Sequence, residues 1–102
     1  MKIIATLSIL PSGYGHNQLI VGIGTGQDRE KYTYTTNNTM LTDKIKGAAD
    51  DDIDAIEAKK EAIAITMTVN GFPMRSEDVE FYNSSRYGNL FEIEFTKEGK
   101  EE

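Results

Sequence analysis

Four carboxylates near the middle of the chain have the spacing of a calcium-binding loop. They match the first, third, fifth and twelfth ligand positions of an EF-hand: Asp50, Asp52, Asp54 and Glu61. The sixth position of such a loop needs glycine for a sharp turn, and this chain has Ala55 there. The neighbouring alanines, lysines and glutamates favour a helix. We therefore predict a helix whose start is stabilised by aspartates, and no metal ion.

The segment GIGTG, residues 22–26, has the glycines of a nucleotide-binding loop and follows an apolar run. A dinucleotide-binding loop opens directly into a helix, whose free amides bind the pyrophosphate. Here Gln27 occupies the place of the third glycine, and the following QDREKYTYTT is typical of a strand. We predict a turn between two strands and no bound cofactor.

His16 is the single histidine of the chain, and no nucleophile motif accompanies it. Carboxylates do occur in pairs, such as Glu92 with Glu94, but they alternate along strand-like segments and so face water. General acid-base catalysis needs a carboxyl whose pKa is raised by burial. We therefore expect a protein that is not an enzyme.

The length of 102 residues suits one domain with a single core. We assign residues 1–97 to that domain and expect the acidic tail, residues 98–102, to fray. The chain has no cysteine, which fits a reducing cytoplasm, and no apolar stretch long enough to span a membrane. These features predict a cytoplasmic protein without disulfides.

Charge is distributed unevenly along the chain, whose net charge is -6. Residues 1–49 carry five basic and three acidic side chains, whereas residues 50–102 carry six basic and fourteen acidic ones. This balance disfavours general affinity for a phosphate backbone, which needs clustered lysine and arginine. It leaves room for a basic surface on the first half.

The first half alternates between apolar and polar residues in three segments. KIIATLSIL (residues 2–10), QLIVGIG (18–24) and REKYTYTT (29–36) each predict a half-buried strand. Asn37 to Thr39 can cap a short helix that ends near Gly47, because glycine adopts the left-handed conformation at a helix end. A second helix is predicted from Asp50 to about Glu61.

The second half returns to alternation. AIAITMTVNG (62–71) predicts a strand, with Ile63, Ile65, Met67 and Val69 facing inward and an Asn-Gly turn at its end. DVEFY (78–82) and LFEIEF (90–95) predict two further strands. The element order β-β-β-α(α)-β-β-β indicates an α+β fold, with an antiparallel sheet of five to six strands and helices on one face. An OB-like barrel, in which a helix joins strands three and four, is the alternative.

The segment KYTYTTNNTMLTDKI, residues 31–45, resembles a pattern found in small uncharacterised proteins of gut-bacterial phages and mobile elements. In that pattern a strand ends in Thr-Thr-Asn-Asn and a helix follows. The resemblance covers about fifteen residues, which any strand-to-helix junction would favour. It implies a mobile-element protein that contacts another macromolecule, and it carries no specific activity.

Two function classes follow from these patterns. The first is a small acidic module or regulator that binds another protein. Two loops suggest its contact surface, because GYGHN (13–17) and RYGN (86–89) both place a tyrosine beside glycine and a polar amide. The predicted contact residues are Tyr14, His16, Arg86 and Tyr87.

The second class is an OB-type protein that binds single-stranded nucleic acid. In this class Tyr32 and Tyr34 would stack on bases. The basic residues of the first half would contact phosphates: Lys2, Arg29, Lys31, Lys44 and Lys46.

Overall fold

The computed structural model describes residues 2–24, 29–85 and 88–95. These residues form a five-stranded antiparallel sheet and two α-helices, which is the predicted α+β class. The strands are β1 (Lys2–Gly13), β2 (His16–Ile23), β3 (Glu30–Thr36), β4 (Glu80–Ser85) and β5 (Gly88–Glu94). The helices α1 (Thr39–Ile45) and α2 (Ile53–Val69) lie between β3 and β4 in sequence. No helix in these ranges is long and apolar enough to cross a lipid bilayer.

The first three strands form a meander, as their alternating sequences predicted. β1 pairs with β2 and β2 pairs with β3, both antiparallel, so that Ile9 lies opposite Leu19 and Val21 lies opposite Tyr32. Side chains alternate between the two faces of a strand. Most of the apolar residues of the three strands therefore share one face, and most of the polar residues share the other.

β5 pairs with β1 on the side away from β2, and β4 pairs with β5. The strand order is β3-β2-β1-β5-β4, so the first strand of the sequence lies at the centre of the sheet. Within the described residues, β3 and β4 share no ladder. The sheet is therefore open, and the OB-like barrel alternative is wrong, because a barrel would have to join its edge strands.

The helical region breaks where the sequence predicted. The side chain of Asn38 accepts a hydrogen bond from the amide of Leu41 at 3.1 Å, which caps α1. Gly47 then adopts a φ of +74°. The side chain of Asp52 accepts a hydrogen bond from the amide of Ala55 at 3.2 Å and caps α2. The acidic segment is thus a helix start.

The predicted strand over residues 62–71 is wrong, because α2 continues to Val69. The alternating apolar residues fit a helix as well. Ile63 and Met67, four residues apart, are completely buried, whereas Val69 is 53% exposed. Thr66 is also completely buried. Its hydroxyl donates a hydrogen bond to a carbonyl one turn earlier in the same helix.

The Asn-Gly pair that suggested a hairpin turn ends α2 instead. Gly71 has a φ of +100°, and its amide donates to the carbonyl of Thr68 at 3.1 Å. The amide of Phe72 donates to the carbonyl of Met67 at 2.9 Å. This is a Schellman motif. Hairpin turns and helix ends both need left-handed residues, so the dipeptide alone does not distinguish them.

The core lies between the sheet and the helices, in two contiguous clusters. The larger cluster includes Val21, Phe91 and Ile93 of the sheet with Ile63 and Met67 of α2. The smaller cluster consists of Leu19, Leu41, Ala58 and Ala62, and joins β2 to both helices. We call the opposite side of the sheet the open face. On β1 as far as Leu10, on β2 and on β5, the residues of the open face are the even-numbered ones. On β3 they are the odd-numbered ones. Arg29 and Glu80 also lie on this face.

Candidate functional site

The turn between β1 and β2 holds Tyr14, one of the predicted contact residues, in a left-handed backbone conformation. Gly13 and His16 pair across the hairpin, so Tyr14 and Gly15 form a two-residue turn. Their φ angles are 52° and 79°, and both angles are positive, as in a type I′ turn. Asn-Gly is the preferred sequence there, because a larger residue in the left-handed region is strained by about 1–2 kcal/mol.

This backbone presents the ring of Tyr14 to solvent. The residue is 102% exposed, and His16 beside it is also exposed. Among the described residues other than glycine, Tyr14 alone has a positive φ. A strained residue at an exposed position suggests a role outside the fold itself, since strain of this kind concentrates at functional sites.

A buried asparagine anchors the base of this hairpin to the first helix. Asn17 is 7% exposed. Its side-chain nitrogen donates to the hydroxyl of Thr42 at 3.2 Å, and its side-chain oxygen accepts from the ammonium of Lys46 at 2.8 Å. Both partners belong to α1 or its C-cap. The hairpin therefore projects from a fixed base.

The other two predicted contact residues, Arg86 and Tyr87, lie outside the described residues. The strands on either side of them are described. β5 is antiparallel to both β1 and β4, so β4 ends at the same end of the sheet as β1. The structure thus brings the ends of these two strands to one side of the molecule, where the β1–β2 turn lies.

A second buried asparagine repeats the anchoring pattern near the start of β5. Asn89 is 9% exposed, accepts a hydrogen bond from the ammonium of Lys59, and donates to the main-chain carbonyl of Asp50 at 3.1 Å. The amides of the two similar loops, Asn17 and Asn89, therefore hold the sheet against the helices. Sequence reasoning missed this role, although the asparagine shared by GYGHN and RYGN was the available signal.

The tyrosines proposed to stack on nucleic-acid bases lie on the helix-covered face. The ring of Tyr32 contacts Phe72 edge-on, with ring centres 5.4 Å apart, and contacts Phe95 at 6.0 Å. Tyr34 packs against the smaller core cluster. Both residues are half-buried. Aromatic residues bind bases through an accessible ring face, and packing leaves these two rings only partly accessible.

The basic residues of the first half do not form one patch. Lys2, Arg29 and Lys31 lie on the open face, whereas Lys44 and Lys46 lie in α1 and at its C-cap. Lys2 pairs with Glu80 at 3.0 Å, and Lys46 bonds to Asn17. A continuous path of positive charge along a bound strand is therefore not formed by these five residues.

The acidic and glycine-rich motifs have structural roles. Asp54 and Glu61 are residues of α2, so they cannot belong to a calcium loop. No group of three or more histidine, aspartate or glutamate side chains suited to a metal ion occurs in the described ranges. β3 begins at Glu30 and is antiparallel to β2, whereas a dinucleotide-binding loop opens directly into a helix. Residues 25–28 of the predicted turn lie outside the described residues.

A shallow cleft of about 500 Å3 lies between the end of α2 and the segment that leads to β4. Apolar side chains of Ile65, Val69 and Met74 line it, and Glu61, Arg75 and Glu77 also contribute. Arg75 and Glu77 form an exposed ion pair at 3.4 Å.

Comparisons with models of protein families, with curated proteins and with solved structures found no match for this chain.

Proposed function

We propose that the protein is a small, acidic, non-enzymatic module that binds another protein through the tip of its β1–β2 hairpin. One observation carries the proposal: Tyr14 is held in a strained left-handed conformation with its ring exposed. The left-handed conformation of Tyr14 makes the folded protein about 1–2 kcal/mol less stable than it would be with a residue suited to that conformation. Contact of the ring with a partner would offset that loss.

The chemistry of the tip suits protein recognition. Tyrosine offers a large contact area for a small loss of conformational entropy, and it is enriched in binding hot spots. The adjacent His16 is exposed and can donate or accept a hydrogen bond. The hydrogen bonds of Asn17 to α1 fix the base of the hairpin, so the hairpin loses little conformational freedom on binding.

The resemblance to phage proteins and the predicted cytoplasmic location are also part of this proposal. The resemblance to phage and mobile-element proteins suits a regulator that acts on a host or phage protein. We propose the reducing cytoplasm as its setting, which the absence of cysteine fits. Binding of single-stranded nucleic acid is not favoured by any contact described above. Fluorescence anisotropy with labelled oligonucleotides at low salt should therefore show no binding.

The substitution Tyr14→Asn separates binding from folding. Asparagine adopts the left-handed conformation more readily, so the variant should be more stable than the wild type by about 0.5–1 kcal/mol. The same change removes the aromatic ring. We expect a pull-down from the native lysate to lose the partner that the wild type retains, while thermal unfolding shifts upward.

Two controls sharpen this experiment. Tyr14→Phe keeps the ring and the strained backbone, so it should retain most of the binding without gaining stability. Tyr82→Asn removes another exposed tyrosine, from β4, and should leave binding unchanged. The proposal is wrong if Tyr14→Asn binds the same partner as tightly as the wild type.

A further inference from the structure

Among the described residues, the open face of the sheet carries three basic and three acidic side chains, separated across its width. The basic residues are Lys2, Arg29 and Lys31, and the acidic residues are Glu80, Glu92 and Glu94. Arg29 and Lys31 lie at the β3 edge, whereas the three glutamates lie on β5 and β4 at the other edge. Lys2, on the central strand, reaches across β5 to pair with Glu80 at 3.0 Å.

Aliphatic side chains, and an arginine side chain that lies along the surface of the sheet, occupy the middle of this face. Ile4, Ile20 and Leu90 are half-buried there, and Leu10 is 50% exposed. The side chain of Arg29 crosses β2 above Gly22 and donates to the hydroxyl of Thr6 at 3.1 Å. The centre of the open face is therefore partly apolar, with opposite charges at its two edges.

The basic and acidic edges lie at similar heights along the strands. At the basic edge, Lys31 pairs with Gly22, which pairs with Thr6 on β1. At the acidic edge, Glu80 pairs with Glu92, which pairs with Ile4 on β1. Thr6 and Ile4 are two residues apart on β1, so the two charged edges differ in height by about 7 Å. Lysine and glutamate side chains can span such an offset.

This arrangement is complementary to itself under one particular symmetry. A two-fold axis parallel to the strands, lying between two stacked sheets, places β3 of one copy over β4 and β5 of the other. It brings Lys31 above the partner's glutamates twice in each dimer, because the contact of a two-fold dimer is reciprocal. A two-fold axis across the strands would instead place β3 over β3 and like charges together, which is unfavourable.

We propose that a second copy of this chain docks on the open face, related by a two-fold axis parallel to the strands. Five strands at about 4.8 Å spacing and seven residues at about 3.4 Å give a footprint of about 500 Å2 for each copy. The pair buries about 1,000 Å2, at the lower limit for a specific interface, so the dimer is weak and reversible. The proposal is independent of Tyr14, which lies at the hairpin tip.

Charge reversal tests the proposed contact by sedimentation equilibrium across a range of protein concentrations. Wild-type protein should show a mass that rises from monomer towards dimer. Lys31→Glu places glutamate over glutamate, and Glu92→Lys places lysine over lysine, so each should weaken dimerisation about tenfold or more. The double variant Lys31→Glu with Glu92→Lys restores opposite charges and should dimerise like the wild type.

Two further samples make the result specific. Lys44→Glu changes the net charge as Lys31→Glu does but lies in α1, so it should dimerise normally. An equimolar mixture of Lys31→Glu and Glu92→Lys should form the dimer that neither forms alone. A monomeric wild type at all concentrations, or equal dimerisation of Lys31→Glu and wild type, would overturn the proposal. So would a double variant that stays monomeric while circular dichroism shows it folded.

Discussion

Neighbouring residues of β2 show how differently the two faces of the sheet are built. Leu19 points to the helices and is completely buried, whereas Ile20, the next residue, lies half-buried on the open face. Asn17 is bonded to α1, whereas Gln18 lies on the open face. The covered face contains the buried core, whereas the side chains of the open face remain partly accessible to solvent.

The largest expected difference between the faces is in apolar burial. Leu19→Ala should lower the free energy of unfolding by about 3 kcal/mol, because it removes buried methyl groups and leaves a cavity. Ile20→Ala removes a side chain of the same size and should cost less than about 1 kcal/mol. Urea titration of both variants at low protein concentration measures the pair. Equal losses would show that the open face is also part of the stabilising core.

The sequence predicted the strands well because the sheet has one covered and one uncovered face. Such a strand alternates between apolar and polar residues, as Ala5, Leu7 and Ile9 do with Thr6 and Ser8 between them. The caps were also predictable, since Asn38 and Asp52 act through contacts within three residues. Local chemistry therefore gave the strands and the helix starts.

Non-local contacts were not predictable in this way. The alternation of Ile63, Ile65, Met67 and Val69 fits a strand, but Ile63 and Met67 also share one side of a helix that had already begun at Ile53. Nothing local placed β1 at the centre of the sheet. The inward direction of Tyr32 depends on its pairing with Val21. The roles of Asn17 and Asn89 depend on residues 25 to 39 positions away, in the helices and in the segment between them.

The second comparison between the two faces concerns two neighbouring residues with amide side chains, one on each face. Asn17→Ala should lower the free energy of unfolding by about 1–2 kcal/mol, since it removes two hydrogen bonds at a buried site. Gln18→Ala, on the open face, should change it by less than about 0.5 kcal/mol. Thermal unfolding of the two variants at equal concentration provides the measurement. A larger loss for Gln18→Ala would contradict the assignment of structural contacts to the covered face.

The open face has one tightly packed position, Gly22. A Cβ atom there would lie 2.7 Å from Cδ of Arg29 and 2.9 Å from the hydroxyl oxygen of Thr6. Gly22→Ala should therefore displace the arginine and cost about 1 kcal/mol, despite the usual preference for alanine over glycine in a strand. In the Arg29→Ala background the same substitution should cost less, because only the contact with the Thr6 hydroxyl remains. An equal cost in both backgrounds would show that the arginine does not cause it.

The smallest expected effect is that of the ion pair between Lys2 and Glu80. A hydrogen bond to the Glu80 carboxylate and attraction to its charge raise the pKa of the Lys2 ammonium above its usual 10.5. The pair therefore contributes fully below pH 10.5, and its contribution is lost as the pH rises through the raised pKa. The two side chains are 53% and 59% exposed, so water weakens their attraction and the contribution is small. Melting temperatures of the wild type and Lys2→Met, followed from neutral pH upward, should differ slightly at first and converge above that pKa. A difference that stays constant across this range would show that the aliphatic part of Lys2, and not its charge, makes the contact that matters.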